Sequence, residues 1–87
     1  MNTETLIRQR LVALEPETYT LEDESAQHRG HAGAASGGGH FKLTIVSPKF
    51  RNLSTLARHR LVYETMGELM QREIHALSIT AFTPEEL

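Results

Sequence analysis

Five histidines and no cysteine stand in a chain of 87 residues, and the histidines are where chemistry could happen. Three of them, His28, His31 and His40, bracket one glycine-rich stretch from Gln27 to His40, while His59 and His75 lie further on. Imidazole ligates borderline metals and titrates near neutral pH, so its clustering on a glycine-rich loop predicts a binding site more than packing. Without cysteine there is no disulfide framework and no zinc ribbon or knuckle, and a reducing compartment is expected. A mononuclear zinc or copper site built from His28, His31, His40 and His75 lacks an accompanying carboxylate pair or Glu-bearing helix to act as general base, which leaves adventitious metal binding at most. There is no His-Glu-x-x-His, no Gly-x-x-x-x-Gly-Lys and no nucleophile beside a base, so an enzyme is not expected.

The formal net charge of −2 hides a segregation. Between Ser25 and Tyr63 stand Arg29, Lys42, Lys49, Arg51, Arg58 and Arg60 with no acid among them, whereas Asp and Glu dominate both flanks. Lys42, Lys49, Arg51, Arg58 and Arg60 could contact successive phosphates of DNA or RNA, attract an acidic protein face, or simply solvate a strand and a helix.

The elements that must position these side chains are legible from periodicity. Leu6, Ile7, Leu11 and Leu14 recur at helical spacing, with Asn2 or Thr3 as cap and Pro16 as stop. Thr18 to Asp23 alternates as a strand, Phe41 to Val46 alternates as a second, and Ser47-Pro48 breaks it. Ser54 caps a helix expected to run to about Gln71, with Leu56, His59, Val62, Tyr63, Met66, Leu69 and Met70 facing a sheet. Gly67 in that helix predicts a close approach to a strand. Ile74 to Phe82 is a third strand, on which His75, Leu77, Ile79 and Ala81 share a face, and Thr83-Pro84-Glu85-Glu86 opens a short terminal helix. The order αββαβ makes the third strand parallel to the second through a crossover. An α+β class follows: one small domain over residues 1–87, with a three-stranded mixed sheet and helices on one face. No run of 18 apolar residues or leader pattern is present, so a cytoplasmic protein with no membrane contact is expected, monomeric when free.

An ordered set of residues carries a resemblance. Asp23-Glu24-Ser25, Gly30-His31-Ala32-Gly33, His40-Phe41-Lys42, Ile45-Val46-Ser47, Phe50, Arg58-His59-Arg60-Leu61-Val62-Tyr63, Ile74-His75-Ala76-Leu77-Ser78-Ile79 and Thr83-Pro84-Glu85 together resemble the BolA family over nearly the whole chain. That resemblance implies an αββαβ fold similar to a class II KH domain. It also implies a partner role toward monothiol glutaredoxins, with a [2Fe-2S] cluster held by the glutaredoxin cysteine, a glutathione thiolate and histidines of the BolA-like chain; no cofactor is expected in the isolated chain. The ligands carried over are His75 at the start of the third strand and one loop histidine. Counting forward from Asp23 points to His28 and counting back from His40 points to His31, with His31 preferred for its Gly-His-Ala-Gly setting. His40 could be a ligand or a strand-end residue, and His59, among apolar helix residues, is read as structural. Some family members are described as DNA-binding transcriptional regulators of cell shape and stress responses, which makes DNA the alternative partner for Lys42 to Arg60. One departure is Asn52, where the family commonly has Gly; Asn tolerates the left-handed conformation that such a turn needs.

A cysteine-free chain can supply only the imidazole half of an iron-sulfur site, so the thiolates must come from a partner. Neutral imidazole donates less negative charge than thiolate, and a mixed site is therefore expected to have a higher reduction potential than an all-thiolate one.

Overall fold

The computed structural model describes residues 2–24 and 39–87. Helix α1 spans Thr3–Leu11, its first turn closed by Asn2, whose side-chain oxygen accepts from the Thr5 amide at 2.8 Å. The chain tightens into a 3-10 turn at Val12–Leu14, and Glu15 takes a left-handed conformation (φ 45°, ψ 53°) that turns it toward Pro16. The expected helix to Leu14 is thus an α-helix with a narrower final turn.

Strand β1 (Thr18–Asp23) pairs antiparallel with β2 (Gly39–Val46), and β2 pairs parallel with β3 (Ile74–Phe82), giving sheet order β1-β2-β3. The register lines residues up in rows across all three strands. Leu21, Leu43 and Ile79 form one row, and Tyr19, Ile45 and Ala81 another, on the face that meets the helices. Thr20, Thr44 and Thr80, then Glu22, Lys42 and Ser78, form rows on the opposite face. Period-two alternation in each strand is the cause: it places one apolar and one polar residue set on opposite sides of the same sheet.

The crossover begins with a 3-10 turn at Pro48–Phe50, which plants Phe50 in the core with no exposed surface. Ser47 anchors the turn from a fully buried position: its hydroxyl donates to the Leu14 carbonyl at 2.5 Å and accepts from the Lys49 amide at 3.1 Å. Asn52 adopts φ 64°, as expected of a residue standing in for glycine at a left-handed turn.

Helix α2 spans Thr55–Met66, with Ser54 Oγ accepting from the Ala57 amide at 3.1 Å. Its end differs from the sequence expectation. Gly67, at φ 57°, terminates the α-helix, and residues Gly67–Gln71 continue as a 3-10 turn. Glycine serves here as a positive-φ cap, the commonest way a helix stops, and it is exposed instead of lying against a strand. Val62, Met66 and Leu69 are buried as expected, but Leu56 and Tyr63 lie largely outside. Finally, Thr83 caps a 3-10 turn at Pro84–Glu86 in a reciprocal capping box.

The core is one cluster. Ile7, Leu11 and Leu14 from the first helical segment meet Val62 and Met66 of α2 over Leu43, Ile45, Leu77 and Ile79 of the sheet. Burying each such side chain contributes about 1.5–3 kcal/mol.

A candidate metal centre at the start of the parallel strands

At the entry to β2 and β3, two of the five histidines come together. The rings of His40 and His75 lie 4.9 Å apart between centroids, tilted by 35°. A break in the ladder produces this contact. Gly39 pairs with Ile74 and His40 pairs with Ala76, so His75 has no opposite number and is the extra residue of a bulge. Bulges redirect a side chain and are rare in parallel pairs, which makes this one a local feature with a specific effect. The sequence reading placed His75 on the face of Leu77 and Ile79; the bulge overturns that placement. Ile74 takes the buried position beside Leu77, and His75 is exposed.

Gly39 permits the close approach at this entry. A Cβ built there would lie 2.5 Å from Phe41 Cε2, a distance no real side chain tolerates. Its amide donates to the Glu73 carbonyl at 3.0 Å, and the Glu24 amide donates to the His40 carbonyl at 2.7 Å, so the backbone on both sides of His40 is held. Glu73 Oε2 is buried at the same entry and has no hydrogen-bond partner among the described residues. Sequence reading took Gly39 as one of the loop glycines and not as the point of close approach to Phe41, and it missed Glu73, which belongs to no recognisable motif.

Of the remaining histidines, His59 is half-buried on α2. His28 and His31 lie outside the described residues, as does the Gly30-His31-Ala32-Gly33 segment. Among the described residues no group of three or more His, Cys, Asp or Glu side chains could hold a metal ion. Two imidazoles in contact, with His40 Nε2 buried and His75 exposed, are what the described residues bring together; a metal or cluster at this entry would need its remaining ligands from elsewhere.

The five basic residues do not act alike. Lys49 Nζ lies 3.7 Å from Glu15 Oε2. Arg51 forms a two-pronged pair with Glu85, with Nε donating at 2.7 Å, and Arg58 does the same with Glu86 at 2.6 and 3.1 Å. Arg58 also donates to the Leu53 and Ala81 carbonyls, both at 3.0 Å, and its side chain is only 14% exposed. Lys42 and Arg60 make no ion pair with the described residues. Three of the five charges are thus answered within the fold, by acids that sequence distance had hidden.

The BolA-like protein family model matches residues 7–86. The chain belongs to the BolA family. Among BolA relatives, the "DNA-binding transcriptional regulator BolA" of Haemophilus influenzae is 36% identical over 99% of this chain and 82% of its own length. "SufE-like protein 1, chloroplastic/mitochondrial" of Arabidopsis thaliana is 41% identical over 93% of this chain, which spans only 24% of that protein. The solved structure of BolA1 from Arabidopsis thaliana superposes with a TM-score of 0.85 at 40% identity, covering 100% of this chain and 97% of that one. The BolA fold expected from the sequence, a small α+β domain with two helices and a three-stranded mixed sheet, is the fold found. Among the described residues no helix is long and apolar enough to cross a membrane.

Proposed function

We propose that this BolA-family chain is a non-enzymatic adaptor that binds a monothiol glutaredoxin and completes the ligand set of a [2Fe-2S] cluster with imidazoles, serving iron-sulfur trafficking or iron sensing. The observation that carries the reading is the His40–His75 ring contact on a bulge that leaves His75 exposed. A partner's cluster can reach an exposed imidazole at the rim of a sheet, and a chain with no cysteine has only nitrogen to offer it.

His75 is the first ligand in this reading. The second is a neighbouring imidazole, either His40, already beside it, or His31 or His28 from the glycine-rich stretch. The cluster, when bound, supplies one-electron chemistry or is itself the cargo. This chain's part is to hold His75 by the strand on either side of the bulge and to bring a second imidazole within reach. Glutaredoxin and glutathione supply the thiolates.

The test is anaerobic mixing of the chain with cluster-loaded monothiol glutaredoxin and glutathione, read by visible circular dichroism and size exclusion. A one-to-one complex with an altered cluster spectrum, restored toward that of glutaredoxin alone by His75→Ala, is the expected result. No complex and no spectral change would sink the reading.

The name of the Haemophilus influenzae relative, a DNA-binding transcriptional regulator, favours a second reading, DNA binding. The ion pairs of Lys49, Arg51 and Arg58 weigh against it, since each must be surrendered before a phosphate gains that charge. A salt-sensitive shift of duplex DNA, lost on reversing Lys42 and Arg60, would establish it; no shift at low salt would dismiss it.

A further inference from the structure

At the far end of β3 from the histidine pair, a groove of about 370 Å³ runs between α2 and the outer edge of the sheet. Thr55, Arg58, His59, Ile79, Thr80 and Phe82 line it, and Glu86 reaches into it from the closing turn. Six residues of strand separate His75 from Ala81, which is about 20 Å at ordinary strand rise. The groove is therefore a separate place on the molecule.

Its centre is Arg58, and two of the bonds that fix Arg58 do not depend on Glu86. Nε donates to the Leu53 carbonyl and Nη1 to the Ala81 carbonyl. The guanidinium is thus held by backbone, with its fork turned to the carboxylate of Glu86, which it grips through both Nη atoms. A planar fork fixed in advance is the arrangement that recognises a carboxylate with least loss of side-chain freedom. Thr55 and His59 of α2 lie beside it, and Ile79 and Ala81 of β3 line the sheet side. The outer edge of β3 is also partly spoken for: α2 side chains satisfy the Leu77 and Ala81 carbonyls, through Tyr63 Oη at 3.4 Å and Arg58. Between them the edge at Ile79 faces the groove.

We propose that this groove is a docking site for an acidic segment of a partner protein, whose carboxylate replaces Glu86 on Arg58, and that Glu86 holds the site closed in cis. The charge complementarity is displayed by the chain itself, since the group seated on Arg58 is a carboxylate of a Pro-containing 3-10 turn. Glu85 on Arg51 and the Thr83 side chain on the Glu86 amide keep that segment anchored when the Glu86 carboxylate leaves both Arg58 and the Thr83 amide, so opening requires one side chain to move and not the whole turn.

The probe is an amidated Thr-Pro-Glu-Glu-Leu peptide, with Thr-Pro-Gln-Gln-Leu as control, titrated into the full chain and into Glu86→Ala while amide and Arg Nε–H resonances are followed by NMR. Removing the cis carboxylate is expected to tighten binding of the acidic peptide at least about tenfold, with shifts at Arg58, Thr55 and Thr80 and none from the Gln peptide. Equal binding of both peptides, shifts elsewhere, or no gain in Glu86→Ala overturns the proposal. A concentration-dependent dimer of Glu86→Ala in place of peptide binding would assign the groove to a second copy and overturn the partner assignment. If Glu86→Ala loses its dispersed spectrum, Glu86→Asp, a carboxylate one methylene shorter, is expected to give a smaller gain of the same sign; no gain there overturns the proposal equally. None of these readouts involves a cluster, so they stand or fall apart from the glutaredoxin reading.

Discussion

His75 is passed over by the ladder that pairs His40 with Ala76, and its ring meets that of His40 at 4.9 Å. A residue outside the hydrogen-bonding register contributes little to holding the sheet, which separates the part His75 plays in stability from the ligand role proposed for it.

His75→Ala should accordingly change unfolding free energy by no more than about 0.5 kcal/mol, the ordinary range for an exposed site. Urea denaturation read by far-ultraviolet circular dichroism checks this. A loss of several times that size would make His75 a structural residue and would confound every spectral result obtained with the variant.

Gly39→Ala should destabilise by about 1–3 kcal/mol, as overpacking does, because the new methyl enters the Phe41 ring at 2.5 Å. The damage should also reach His40, the next residue, so in the proposed complex with cluster-loaded glutaredoxin the variant's spectrum should differ from the parent's even where it remains folded. A thermal melt within a degree of the parent would show that the ring steps aside freely.

Ser47→Ala removes a donor to Leu14 and an acceptor for Lys49 at a site with no access to water. Leaving the buried Leu14 carbonyl unanswered, with the half-buried Lys49 amide beside it, costs about 1–3 kcal/mol. Comparing Ser47→Ala with Ser47→Thr by urea denaturation isolates the hydroxyl; if the two lose equally, volume and not hydrogen bonding governs the position.

Arg58, donating to Glu86, and after it the Thr83 amide, bring the Glu86 carboxyl down from 4.5 to about 2. A carboxyl whose folded value is depressed stabilises the fold above its unfolded value, and that stability drains away as pH falls from about 4.5 toward about 2. Parent and Glu86→Gln should therefore differ in urea midpoint at pH 6, differ less at pH 3, and converge only as pH approaches about 2. A constant difference across that window would mean that shape, not charge, holds the turn.

Much of this molecule was legible in its sequence because alternation and helical spacing are local. Strand β1 fell on Thr18–Asp23 as expected, and the Ser54 cap and the left-handed Asn52 followed from residue type alone. What escaped was set by contacts distant in sequence or by a single-residue irregularity. Alternation put His75 beside Leu77, and nothing in the letters Ile-His-Ala-Leu announces that one of them will be skipped. Glu85 and Glu86 read as acids in a helix's first turn, whereas their partners, Arg51 and Arg58, lie a whole crossover away. Gly67 read as a place of close packing, but a positive φ ends the helix there.

The parallel pairing of β2 with β3 also fixes when the two imidazoles can act together. His40 belongs to a hairpin and His75 to the strand that returns only after α2 has been laid down, so loop closure over the full crossover precedes their meeting. The pair exists only in a finished molecule, so the contact of the two rings reports that folding is complete.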